Sequence, residues 1–314
     1  MTRTRIVIVG FVALFAAACG PSGAATSAPT AATVTQPPAT QAAVVTPAPT
    51  PDACAAANLK TLATGKLTVG TDEPAYPPFY YIDDPIPSGS TWSLGQPPNG
   101  KGLESATAYA IAAHLGFTKD QVTWVVAPFN TAIQPGAKTF DMYLTQVSYS
   151  AERAQVVDLS DGYFDLNQAV VGLAADPIAK VTTVAGLKPF KLGAQIGTTS
   201  YKYITDQIKP DKEPAVFDTN EAAIQALMGG TIDGIVADLP TTFYMRDVQL
   251  TGGQIVGSLP TAAGNPVEHF SVLLDKGSSV TSCVNGALKA MKADGSLAGI
   301  VAQWIANQGA PELK

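Results

Sequence analysis

The sequence predicts an α/β fold in which helices cover sheets with substantial parallel pairing. Three observations point there. From Lys66 onward, short β-rich runs alternate with apolar patterns at helical spacing. No solenoid-like internal repeat competes with that rhythm. The composition is that of a packed chain: of 314 residues, 46% are hydrophobic and 14% charged, whereas wholesale disorder needs low hydrophobicity and high net charge. The length suits about two domains and a sizeable core. Lys plus Arg number 19 and Asp plus Glu 25, a net charge of −6. That argues against a nucleic-acid partner, which demands a dense basic surface to displace counterions. Two histidines, His114 and His269, and three cysteines leave few ligands for a structural zinc or iron–sulfur site; neither a metal nor a cofactor is expected.

In chain order, Arg3 and Arg5 precede an apolar run from Ile6 to Ala18. A bilayer span takes about 20 residues, so this shorter run describes a secretory leader, residues 1–19. Its end, Ala16-Ala17-Ala18-Cys19-Gly20, resembles the lipobox of bacterial lipoproteins, with Ala16 where Leu is usual. That resemblance implies lipid on Cys19 and a body anchored to a membrane, not passing through it. An ordinary leader with a chance Cys is the alternative. Of residues 20–53, 24 of 34 are Ala, Thr or Pro, too little apolar surface to offset ordering entropy. The prolines favour an extended, disordered tether. With Cys19 lipidated, Cys54 and Cys283 remain in an oxidising compartment and are expected to pair; two separate buried thiols are the alternative.

In the body, Leu67 to Thr71 has the composition of a strand. Residues 83–100 form a loop rich in Pro, Gly and Ser, long for a strand-to-helix connection. Within it, Trp92 has two readings: it reaches a ligand or packs its own loop. Ala108, Ile111, Ala112 and Leu115 recur at helical spacing, and Gly116 stops that helix. Strands are expected at Val122 to Val126, Met142 to Gln146, Leu192 to Ile196, Ala215 to Phe217 and Gly234 to Ala237. Asp218 and Glu221 have capping-box spacing for a helix. Two final helices carry Val284, Ala287, Leu288, Met291 and then Leu297, Ile300, Val301, Trp304.

Three groups carry chemistry, each at the carboxyl end of an expected strand, where open α/β sheets bind ligands. Ser148-Tyr149-Ser150-Ala151-Glu152-Arg153 offers free N–H groups, hydroxyls and a guanidinium fork matched to a carboxylate. Gly197-Thr198-Thr199-Ser200 is a second cradle of N–H groups and hydroxyls. Asp238 follows Ile235-Val236-Ala237. Taken singly, Arg153 also reads as a surface partner of Glu152 or Asp158, Gly197-Thr198-Thr199 as a capped turn, and Asp238 as a helix N-cap.

Their order and flanks resemble a family. Gly65 to Phe79, with Gly70-Thr71-Asp72-Glu73-Pro74-Ala75-Tyr76-Pro77-Pro78-Phe79, is similar to the opening of solute-binding proteins, family 3, of bacterial ABC importers for polar amino acids. Ser148 through Ser160, Gln195 to Thr199 and Asp233 to Asp238 are similar to its later motifs, so the likeness spans roughly 54–310. It implies a type II periplasmic binding protein fold: two α/β lobes joined by two hinge strands, lobe 1 at 54–172 and 266–314, lobe 2 at 173–265. It implies no enzyme but a lipid-anchored, extracytoplasmic, monomeric substrate-binding protein that serves an ABC permease and ATPase. By the resemblance Arg153 clamps the α-carboxylate of an amino acid, assisted by Ser148 and the cradle of Thr198 and Thr199. Asp238 takes the α-ammonium with the carbonyl of Gln146. Tyr76 and Phe129 sandwich the ligand side chain, and Asp72 touches its far end. Four features depart from the pattern: Gln146 replaces a small residue, Ala106 replaces an Asp, Pro135-Gly136 cuts a helix short, and the 83–100 loop is expanded.

A zwitterion gripped by Arg153 from one lobe and Asp238 from the other stabilises the closed form over the open one. Two rivals stand beside this reading. One is a dehydratase on the same fold, for which Glu104, Glu152 and Lys202 are the available acids and base. The other is a ligand-sensing lipoprotein that reports to a membrane receptor.

Overall fold

The computed structural model describes residues 52–83, 85–262, 264–305 and 309–314. The leader, Cys19 and the tether up to Pro51 lie outside them, as does the lipid expectation that rests on Cys19. Two five-stranded sheets form the body. The first is built on β1 (Leu67–Thr71), buried at every residue, which lies between parallel neighbours β2 (Val122–Val126) and β3 (Met142–Tyr143). Both flanks and faces of β1 are covered, so Thr68 and Gly70 are buried along with the Leu67 and Val69 they alternate with. Two antiparallel strands, β10 (Glu268–Leu274) and β4 (Asp158–Leu166), complete the order β2-β1-β3-β10-β4.

The second sheet has the order β7-β6-β8-β5-β9, with β5 at Gln168–Leu173, β6 at Leu192–Gln195, β7 at Ala215–Phe217, β8 at Gly234–Asp238 and β9 at Gly253–Ser258. Here β6 pairs parallel with β7 and β8, while β5 runs antiparallel to β8 and β9. Each sheet therefore joins three parallel strands on one side to two antiparallel pairings on the other.

Helices α1 (Leu103–His114), α7 (Thr281–Ala293) and α8 (Ser296–Trp304) pack on the first sheet. Their apolar residues, with Leu67, Val69, Phe270 and Leu274, make the first core. Short helices α2 (Phe129–Ala132) and α3 (Arg153–Val156) cap strand ends of the same lobe. In the second lobe stand α4 (Thr199–Tyr203), α5 (Asn220–Met228) and α6 (Leu239–Tyr244). Apolar clusters lie on both faces of its sheet, one around Leu192 and Val236 and one around Ile235 and Leu227. Among the described residues no helix is long and apolar enough to cross a membrane.

Cys54 and Cys283 form a disulfide across 229 residues of chain. Both sulfurs join the first core, so the bridge staples that lobe to itself. Closing so long a loop removes about 5 kcal/mol of unfolded-state entropy in the chain-entropy model.

The structure differs from the sequence expectations at several edges. The strand expected at Met142 to Gln146 ends at Tyr143, and Gln146 lies in the left-handed region at φ 45°. Helix α5 is capped by Thr219, whose hydroxyl accepts from Ala222 N at 3.2 Å, not by Asp218. Trp92 is buried in the first core beside Phe79 and Leu103. The chain leaves the first lobe at Asn167, because Gln168 already pairs with Asp238 in the second sheet, five residues before the expected boundary at 172. The last residues also cross over. Glu312 bridges Ser258, Leu313 is buried in the second core, and Gly257 leaves Leu313 its space, since a Cβ there would stand 2.7 Å from Leu313 Cγ.

Candidate functional site

Between the lobes lies a cavity of about 310 Å3, the small end of the range for small-molecule pockets. The first lobe lines it with Asp72, Glu73, Tyr76, Phe129, Asn130 and Gln146, among others. The second lines it with Thr198, Asp218, Glu221, Asp238 and their neighbours. Both sets sit where strands end: Asp72 follows β1, Gln146 follows β3, Thr198 follows β6, and Asp238 closes β8.

Arg153 opens α3, where Ser150 Oγ accepts its N–H at 3.1 Å. Its guanidinium is buried. One nitrogen donates to the Ser148 carbonyl and the other to the Gly197 carbonyl of the opposite lobe, the latter at 2.7 Å. Gly197 presents that carbonyl from a left-handed turn at φ 74°, a conformation that favours glycine. The guanidinium also stands 5.6 Å from the centre of the Phe129 ring. Burial lowers the Arg153 pKa, against the charges of Asp238, Glu268 and Glu152, which raise it.

Asp238 occupies the N-cap position of α6, yet its carboxylate caps nothing. Instead Oδ1 accepts from Gln168 Nε2 at 2.7 Å. The same amide donates to Glu268 Oε2 at 3.0 Å and Thr199 Oγ1 at 3.3 Å, and Ser200 Oγ fixes its other end at 2.6 Å. Thr199 in turn donates to Glu268 Oε1. Gln168 and Glu268 begin β5 and β10, so this network sits on both crossings between lobes. Burial first, then the neighbouring Glu268, pushes the Asp238 carboxyl up to about 8, against the Gln168 hydrogen bond and the Arg153 charge.

Behind the cavity floor, Glu104 lies in the first turn of α1, fully buried. It accepts from Gln146 N at 2.6 Å and from Tyr163 Oη at 2.5 Å, and the Gln146 side chain bonds its other oxygen. Burial pushes its carboxyl up to about 7 against these donors. The Gln146 side chain is thereby drawn toward Glu104.

At the mouth, Tyr76 packs against Tyr244 of the second lobe, ring centres 5.6 Å apart, and donates its hydroxyl to Glu221. Burial and that carboxylate raise its pKa. Asp72 accepts from Glu73 N at 2.8 Å, and its own N–H donates to Thr145 Oγ1 at 2.9 Å. Burial raises its pKa, and the charges of Glu221 and Glu73 add to the shift.

Of the residues expected from sequence, Asp72, Tyr76, Phe129, Gln146, Thr198 and Asp238 line one cavity. Ser148, Arg153 and Thr199 are not in its lining: two backbone carbonyls hold the guanidinium, and Glu268 holds the Thr199 hydroxyl. Thr198 Oγ1 caps α4, accepting from Tyr201 N at 3.2 Å. Sequence reasoning missed Gln168, Glu268 and Glu73 altogether. It read Glu221 only as a capping residue and Glu104 only as a rival's acid. A polar residue at the first position of each hinge strand is a signal visible only once those strands are paired. Among the described residues no group of three or more His, Cys, Asp or Glu is placed to hold a metal ion.

The profile of bacterial extracellular solute-binding proteins, family 3, matches residues 67–307, and the chain belongs to that family. ABC transporter arginine-binding protein 1 of Escherichia coli (strain K12) is 28% identical over 173 residues, 54% of this chain and 67% of that protein. ABC transporter glutamine-binding protein GlnH of Bacillus subtilis (strain 168) is 28% identical over 170 residues, 52% of this chain and 58% of that one. The chain thus matches little more than half the length of the second relative. An ancestral arginine-binding protein solved with arginine superposes at a TM-score of 0.60 and 28% identity, covering 77% of this chain and 98% of that one. An ancestral amino-acid-binding protein described as a precursor of cyclohexadienyl dehydratase gives 0.59 at 26% identity, covering 77% of this chain and 95% of that one. The two-lobed architecture is the type II periplasmic binding protein fold.

Proposed function

We propose that this chain is the substrate-binding lipoprotein of an ABC importer, held outside the membrane by lipid on Cys19, which takes an amino acid or similar zwitterion into the cleft between its lobes. The observation that carries the reading is that a buried guanidinium from one lobe and a carboxyl from the other act on each other electrostatically at the cleft's inner end. A zwitterion carries the complementary pair. Its carboxylate draws Arg153 from the Ser148 and Gly197 carbonyls, and its ammonium takes Asp238 in place of the Gln168 amide. Tyr76 and Phe129 provide walls for its side chain. Because the two clamps belong to different lobes, the ligand adds affinity only when the lobes meet.

Relatives named for arginine, glutamine and histidine support an amino-acid ligand. A dehydratase needs an acid or base that touches substrate. Glu104, the acid whose pKa best suits that task, has its oxygens engaged by Tyr163 and Gln146, so binding without chemistry is the reading adopted. Calorimetry and thermal shift against the twenty amino acids test it, since a ligand of the native form raises its melting point. A panel in which no zwitterion binds overturns it. For the anchor, labelled fatty acid is expected on the wild type and not on Cys19→Ser.

A further inference from the structure

Two hinge strands are expected of this fold, yet the chain crosses between the lobes three times. It enters the second lobe where Asn167 gives way to Gln168, returns between Ser258 and Glu268, and enters the second lobe again beyond Ile305. Ile305 packs against the first core. Ala310 packs against one apolar cluster of the second lobe, and Leu313 is buried in the other, 2% exposed.

The third crossing runs into a built anchor. Strand β9 lies at an edge of the second sheet, where unpaired backbone groups need cover, and the segment from Gly309 to Lys314 supplies it. Ser258 N donates to the Pro311 carbonyl at 2.7 Å and Leu313 N to the Ser258 carbonyl at 2.9 Å, so Glu312 bridges Ser258 in parallel. Lys314 N donates to the Thr182 carbonyl at 3.2 Å, and Val184 N to the Lys314 carbonyl at 2.9 Å. The seat is shaped for this segment: a Cβ on Gly257 would stand 2.7 Å from Leu313 Cγ and 2.9 Å from the Pro311 carbonyl oxygen. It also lies at the root of the other two crossings. Leu259 N, one residue past Ser258, donates to the Gln168 carbonyl at 2.7 Å.

We propose that residues 309–314 are a strap that limits how far the lobes open. Three residues join Ile305 to Gly309. An extended chain spans at most about 3.6 Å per residue, so while the anchor holds, the end of α8 in the first lobe stays within about 14 Å of Gly309 in the second. A hinge of two strands leaves rotation and twist to a few backbone dihedrals, and a third attachment removes part of that freedom. The lobes then move only by pivoting about one short link. Keeping the ligand-free protein near the closed arrangement raises the fraction that is ready to bind. The strap achieves this without touching the ligand, since none of residues 309–314 lines the cavity.

The test is single-molecule fluorescence transfer in the full-length, ligand-free protein, with dyes on unnatural residues at two exposed positions, Leu62 in the first lobe and Met228 in the second. Two variants release the strap in different ways. Leu313→Asp removes the anchor. A flexible insert of about six Gly and Ser residues directly before Gly309 keeps every anchor contact and adds roughly 20 Å of reach. Both are expected to shift the interlobe distance to longer values and to broaden its distribution by several ångströms, with circular dichroism reporting a retained fold. A distribution that matches the wild type in either folded variant overturns the strap. In particular, a shift in Leu313→Asp with none in the insert means that Leu313 only packs the second core. Should Leu313→Asp fail to fold, the insert decides alone. No ligand enters the measurement, so its outcome is independent of the amino-acid reading.

Discussion

Both ends of the cleft hold acids and treat them differently. At the inner end Asp238 and Glu268 share the Gln168 amide, and Arg153 stands beside them. Each charge is offset by a donor or by an opposite charge, and the network ties both interlobe crossings together. At the outer end the acids face one another with a tyrosine hydroxyl and two serine donors. The inner end is thus organised by the protein's own residues. The outer acids accept only from Tyr76, Ser93 and the Glu73 N–H among the bonds described above.

The largest break in this contrast is expected at the clamp. Arg153→Ala and Asp238→Ala each remove one partner of a desolvated charge pair, a loss of about 2–5 kcal/mol or roughly 30- to 3,000-fold in affinity. Calorimetry measures the loss, and circular dichroism is expected to report a retained fold. Next comes Gln168→Leu, which keeps the volume and removes the donor common to Asp238 and Glu268. Leaving such acceptors unsatisfied costs about 1–3 kcal/mol of stability, read as a lower denaturant midpoint at unchanged slope.

A third prediction concerns protons. The carboxyls of Asp238 and Glu104 are raised from ordinary values to about 8 and about 7. In the window between each ordinary value and the raised one, the folded state holds more protons than the unfolded one. Stability therefore falls as pH rises from about 4 toward 8, the reverse of a salt-bridged carboxylate, and Asp238→Asn is expected to flatten the slope. Binding an ammonium favours ionised Asp238, so ligand affinity rises with pH up to about 8. Titrations at pH 7 in buffers of different ionisation heat are expected to detect proton release on binding. In Glu268→Gln the neighbouring charge is gone, and the rise in affinity moves to lower pH.

How legible this was in the sequence depended on the range of the interaction. Strands β1, β2 and β7 and the final helices follow from local apolar pattern, and their spans were close to expectation. The cavity walls Asp72, Tyr76 and Asp238 lie at strand ends within recognisable motifs. Glu268 and Gln168 were invisible because their meaning comes from two crossings a hundred residues apart in sequence. Glu104 shares its buried helix face with Thr107, Ala108 and Ile111, and only its contacts with Tyr163 and Gln146 explain an acid there. The lobe boundary was misjudged for the same reason: nothing in the run from Leu166 to Leu173 marks the residue at which hydrogen bonding changes sheets, and nothing local shows that Leu313 packs in the second core.

The smallest effect is expected at the cleft rim. Lys202 of the second lobe stands 3.4 Å from Glu152 of the first, and 3.3 Å from Asp206 on its own helix. Among the described residues this is the salt bridge that crosses the cleft, and its geometry resembles a latch. Both side chains are mostly exposed, however, so solvent and salt screen them. Asp206 also competes for the ammonium, so opening the lobes leaves Lys202 with a partner. Lys202→Ala is therefore expected to change ligand affinity less than about three-fold and to lose even that effect in high salt. A change approaching that of Arg153→Ala would mean that the lobes are held by rim charge rather than by the buried network.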